Sequence, residues 1–251
     1  MENIPPQASD LPPESPGARH EDEHRSGVER CVEALLAIAR RPSRASFATW
    51  MRVVEPAWIP RLLVALVALD VLSGIVGLAI GQLIAPPDPS PPTYLFGAPS
   101  LADRFIYALV IFPLTDLLIV ALVVLGAAIL KPAGQERVSV KERARQILRP
   151  YLLGAIIAAL ATLLIGEPLL ALQYSPLGQG LLVPVLAVVG PAAIFVYSVI
   201  VLLNALAAGS GVSRWLLIVV LILGGIIGGA IGLFALGALL ALVGIHIPLG
   251  L

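Results

Sequence analysis

Residues 62–85 read LLVALVALDVLSGIVGLAIGQLIA, 24 positions with a single charged side chain, Asp70. A helix needs about 20 apolar residues to cross the hydrocarbon core of a bilayer, and this run supplies them. Four further runs of the same kind follow at residues 105–130, 151–174, 181–208 and 215–244. The last, at 30 residues, is too short to divide into two spans, so it is expected to tilt or protrude. The whole chain agrees with its parts. Of its 251 residues, 58% are hydrophobic and 13% charged, against roughly 45–50% and 25% in a soluble domain. So small a polar stock cannot cover a water-facing surface, and the surplus apolar surface must meet lipid. The expected fold class is an all-α integral membrane protein, a five-transmembrane-helix bundle. Soluble enzymes, disordered chains and secreted disulfide scaffolds are excluded together, and Cys31, the one cysteine, has no internal partner.

The 16 cationic and 16 acidic residues cancel in sum but not in place. For five spans, 15 of the 16 Lys and Arg residues fall on one side: before the first span, between the second and third, and at Arg214. Arg104 alone falls on the other. Basic residues flanking spans stay cytoplasmic. This predicts a cytoplasmic N-terminus, an external or periplasmic C-terminus and residence in the cell (inner) membrane.

Three regions result. Residues 1–27 hold Pro5, Pro6, Pro12, Pro13 and Pro16 among Glu, Asp and Ser, too polar a segment to fold, and are expected to form a disordered cytoplasmic tail. They lack the basic and apolar regions of a signal peptide. His20 and His24 share a helical spacing there, but nothing rigid would hold them, so no metal site is expected. Residues 28–60 are amphipathic. Val28, Cys31, Val32, Leu35, Leu36 and Ala39 recur at helical spacing, and after Pro42 a second set places Phe47, Trp50 and Met51 on one side. With Trp58 at the membrane edge, this face suits either the headgroup layer or the protein's own bundle. Residues 61–251 form the transmembrane domain. Between its second and third spans, Ser139 and Glu142 make a capping box opening a short helix over 140–149. There Lys141, Arg143, Arg145 and Arg149 are candidates for lipid headgroup contact. The loop at 85–100 is proline-rich and extended, and 175–178 reads as a tight turn.

Three carboxylates sit inside spans: Asp70, Asp116 and Glu167. Charge at such depth is costly, so each marks a functional candidate. At 1.5 Å per residue they lie about 12, 21 and 24 Å from the Arg-rich ends of their spans. Pro113, Pro168, Pro184 and Pro191 interrupt the same helices, as where transporters bind substrate. The competing expectation is structural: buried neutral acids bonded to other helices, with Asn204 as a partner for Asp70. The last span carries Gly224, Gly228 and Gly232 in one stripe, and Gly225 and Gly229 in another. Both suit close helix packing, within the chain or with another membrane protein. Hydrolase, phosphate-loop and thiol-redox motifs are absent, so neither enzyme activity nor a cofactor is expected. The cationic patch is too small for nucleic acid, which leaves the bilayer, itself or another membrane protein as partner.

Arg41-Pro42-Ser43-Arg44-Ala45-Ser46-Phe47, then Glu55-Pro56-Ala57-Trp58-Ile59-Pro60 leading into the first span, resembles the opening of the Yip domain. That family comprises Ypt/Rab-interacting membrane proteins and their prokaryotic relatives, and the likeness extends over about residues 41–244. It implies a polytopic membrane protein without known catalytic residues. Eukaryotic members act in vesicle trafficking through small GTPases, but their Asp-Leu-Tyr-Gly-Pro element has no counterpart here. Arg outnumbers Lys 14 to 2, in keeping with a prokaryotic member. Two functions are therefore expected to compete: a non-enzymatic membrane scaffold or accessory subunit, and a small transporter or ion- or proton-conducting protein using the carboxylates.

Overall fold

Every described element of the chain is helical. The computed structural model describes residues 27–51, 54–84, 105–130, 138–174 and 182–242. The expected tail, the 85–100 loop and the 175–178 turn lie outside them. Two short helices come first, α1 (Gly27–Arg40) and α2 (Arg44–Met51), then one 3-10 turn at Pro56–Trp58. α3 (Ile59–Ile84) leads to a π-helical turn at Tyr107–Ile111 that continues into α4 (Phe112–Ile129). α5 (Val140–Ala161) passes through a second π turn, Thr162–Gly166, into α6 (Glu167–Tyr174). α7 (Leu182–Ser210) and α8 (Arg214–Leu242) complete the set.

Five stretches are long and apolar enough to cross a membrane: Pro56–Ile80, Ala108–Ile129, Val140–Leu169, Val188–Ser210 and Arg214–Gly232. The fold is an all-α membrane bundle, and the protein a multipass membrane protein. Rows of exposed apolar side chains, among them Val64, Leu164, Val188 and Phe195, cover its outer surface. Leu152, Leu153, Val201 and Leu206 fill the interior where α5 meets α7.

The helix at 140–149 and the third span prove to be one helix. Ser139 caps its start, its Oγ accepting the Glu142 backbone N–H at 3.2 Å, which is the forward half of the expected capping box. Pro150 lies inside α5. A proline there takes the usual donor from the carbonyl four residues back, yet the neighbouring helix closes over the step. A Cβ on Gly209 of α7 would stand 2.8 Å from the Ile147 Cα and 3.2 Å from the Gln146 carbonyl oxygen, so only a glycine permits this approach. α7 then stops where Gly211 turns into the left-handed region at φ 69°, its N–H donating to the Ala207 carbonyl at 3.2 Å.

α4 and α8 pack antiparallel in step. Gly224, Gly228 and Gly232 lie against Val123, Ile119 and Thr115 respectively, one turn apart on both helices. The second stripe faces elsewhere: nothing stands within 4 Å of a Cβ on Gly225 or Gly229.

α1 and α2 dock on the bundle rather than lying apart from it. Ala34, Ile38 and Phe47 are fully buried, so of the two settings that suit this face, headgroup layer or bundle, Phe47 takes the bundle and is not a headgroup contact. The docking gives the carbonyls at the end of α1, which have no helical partner, donors from α7. Tyr197 Oη donates to the Ala39 carbonyl at 2.8 Å, and Asn204 Nδ2 to that of Pro42 at 2.9 Å.

Candidate functional site

Two prolines build the site. Each π turn ends two residues before a proline: Ile111 before Pro113, and Gly166 before Pro168. Without an N–H, and with its ring pressed on the preceding turn, proline disrupts the regular ladder. The wider π turn absorbs the misfit. In the second turn the Glu167 N–H donates to the Thr162 carbonyl, five residues back. The acids stand beside these distortions, Asp116 three residues after Pro113 and Glu167 next to Pro168.

The result is one cavity of about 670 Å3 lined by Asp70 of α3, Asp116 of α4 and Glu167 of α6. Ser73, Tyr151, Thr162 and Ser198 add polar groups. Ser73 Oγ donates to Glu167 Oε1 at 3.2 Å. One turn along α3, Gly77 faces the same carboxylate, where a Cβ would lie at ordinary contact distance, 3.7 Å from Oε2. Asp116 lies within electrostatic reach of both Asp70 and Tyr151. Asp70 is buried, and its Oδ2 has no hydrogen-bond partner. No Lys, Arg or His is among the lining residues. A converging set of acids without a base can bind a cation or pass a proton. Among the described residues no three His, Cys, Asp or Glu side chains are grouped to hold a metal ion.

Asn204 is not a partner of Asp70. It lies six residues before the end of α7, about 9 Å along the axis, and its groups are committed there. Nδ2 donates to the Pro42 and Ile200 carbonyls, and Oδ1 accepts from Arg214 Nη2 at 3.1 Å.

The cations expected at headgroups divide. Arg143 is buried and donates to the Leu130 and Val138 carbonyls at 3.4 and 3.2 Å, so it ties the end of α4 to the start of α5 instead of meeting lipid. Arg149 Nη1 donates to the Val54 carbonyl at 3.0 Å. Lys141 and Arg145 are exposed and line a second groove of about 780 Å3 with Glu142 and Arg149, beside the Pro56–Pro60 turn. Trp50 and Trp58 are half-buried against the core, the latter with the Arg61 guanidinium 4.8 Å from its ring.

Ser73, Gly77, Tyr151 and Ser198 escaped the sequence reading. The signal was present, since each is a polar or minimal residue inside an apolar run, but a lone hydroxyl in a span is too common to single out. No family model matches the chain, and neither the curated proteins nor the solved structures give a match.

Proposed function

We propose that the protein is a small transporter or ion-conducting protein of the cell membrane that takes a cation into the acidic cavity. One observation carries the reading: acids from three different spans, Asp70, Asp116 and Glu167, line a single space with no basic side chain among them. A charged carboxylate at mid-span costs roughly 2.5–3.5 kcal/mol even on the mildest scale. A cation entering the cavity would offset that cost at Asp70 and Asp116, which lie within electrostatic reach of each other. A purely structural role would send them to separate packed interfaces. The basic residues put the N-terminus in the cytoplasm, with Lys141 and Arg145 near the anionic inner leaflet. In proteoliposomes, Asp116→Asn is expected to abolish proton or cation flux, read from an internal indicator dye, while thermal unfolding in detergent stays near that of the parent. Undiminished flux would remove the proposal.

A second reading, a scaffold or accessory subunit of Yip-domain type, is favoured by the outer stripe of α8, where Gly225 and Gly229 meet nothing among the described residues. Small residues facing lipid suit close approach of another helix. Gly225→Leu would then convert an oligomer to a monomer in cross-linking. A parent chain that is monomeric in mild detergent and in lipid would rule this reading out.

A further inference from the structure

This inference rests on the cation reading above and narrows which cation the cavity takes. A proton path needs acids and water but little room, whereas this space of about 670 Å3 falls within the roughly 300–1,000 Å3 of sites that hold drug-sized molecules. An inorganic ion needs several oxygens at about 2.0–2.6 Å, and the described acids form no such group. Between the acids the walls are apolar, with Leu66, Val120 and Ile194 among them. Phe112 and Phe195 also line the cavity although they are 43% and 69% exposed, so its rim reaches the lipid-facing surface at those two rings. Among the described residues that line it, Asp70 is only 5% exposed and its fully buried Oδ2 has no hydrogen-bond partner.

The geometry points to an amphiphilic organic cation as ligand, entering from the lipid past Phe112 and Phe195 and seating its cationic centre against Asp70 and Asp116. An apolar body gains by contact with the walls, and the aromatic faces at the rim favour a positive charge. In this low-dielectric setting a single carboxylate decides the sign of charge accepted.

The probe is tetraphenylphosphonium, with tetraphenylborate as its counterpart of like shape and opposite charge, in equilibrium dialysis against the full chain in detergent. Tetraphenylphosphonium is expected to bind saturably and tetraphenylborate not at all. Asp70→Asn and Asp116→Asn should each weaken binding on the order of tenfold or more, with Asp70→Glu restoring part of it. Phe195→Ala should weaken it several-fold without changing thermal stability. Equal binding of both probes, or parent-like binding by Asp70→Asn and Asp116→Asn, overturns the inference. Carboxylate-dependent proton flux without phosphonium binding overturns this inference alone. Phosphonium binding without flux of any cation upholds it and overturns transport.

Discussion

Gly228→Ala adds one methyl group at the middle of the α4–α8 seam. That carbon would stand 2.8 Å from Ile119 Cγ1 and 3.0 Å from Ile119 Cα, against an optimum of about 3.5–4.0 Å between carbons. A rotamer change can move Cγ1 away, but the backbone carbon is fixed in the helix. α8 must therefore retreat by about 0.5–1 Å, a gap that forfeits a quarter to a half of the dispersion energy wherever it opens. Gly224 and Gly232 share the seam, so the loss spreads over three turns. Overpacking of this kind costs about 1–3 kcal/mol, and between helices in lipid no hydrophobic gain offsets it. Gly225→Ala, on the other stripe of the same helix, meets nothing within 4 Å and should fall within about 0.5 kcal/mol of the parent. The two variants would be compared by denaturant unfolding in mixed micelles, followed by far-UV circular dichroism. Equal losses, or a greater loss in Gly225→Ala, would show that the seam is not formed by the first stripe.

Other outcomes follow from single interactions. Asn204→Ala removes the donor to the Pro42 carbonyl and the acceptor of Arg214 Nη2 together and should cost about 1–3 kcal/mol, seen as faster amide exchange in α1 and α2. Tyr197→Phe, which removes only the hydroxyl bonded to Ala39, should cost about 1 kcal/mol by the same measurement. Gly211→Ala meets no steric neighbour but must hold φ 69°; a loss of about 1–2 kcal/mol is expected on unfolding, smaller for Gly211→Asn. Burial pushes the Cys31 thiol above its ordinary range. Because the thiolate is the reacting form, maleimide labelling at neutral pH should be slower than for an unfolded chain. It should accelerate with pH beyond the point where the unfolded rate levels off.

The spans were legible because a continuous apolar run of about 20 residues has few destinations other than lipid. Their rotation was not. α3, α4 and α7 are apolar almost all round, and a helix without a polar face carries no mark of which side turns inward. That Asp70, Asp116 and Glu167 meet in one cavity is decided by packing partners distant in sequence. The same limit explains Gly224 against Gly225: both stripes can be read from spacing, but only the facing Val123 shows which one is occupied. The helix over 140–149 and the run from 151 read as separate segments in sequence, and their continuity through Pro150 is packed against Gly209, 59 residues away. By chemical type Arg143 suits the membrane surface, and Phe47 suits either that surface or the bundle. Each has found a destination within the chain, among the Leu130 and Val138 carbonyls and the core respectively.

The π turn at Thr162–Gly166 holds one residue more than an α-helical turn in the same place. If the Glu167 N–H exchanged the Thr162 carbonyl for that of Leu163, the helix beyond would advance by one residue, about 100° of rotation for 1.5 Å of length. Glu167 would swing away from Ser73 by more than a quarter of a revolution while α6 barely shifted along its axis. The extra residue of the turn thus sets the direction in which Glu167 faces, toward Ser73 and the cavity, at almost no cost in the length of the span. Tyr107–Ile111 places a second turn of this kind in the same span as Asp116.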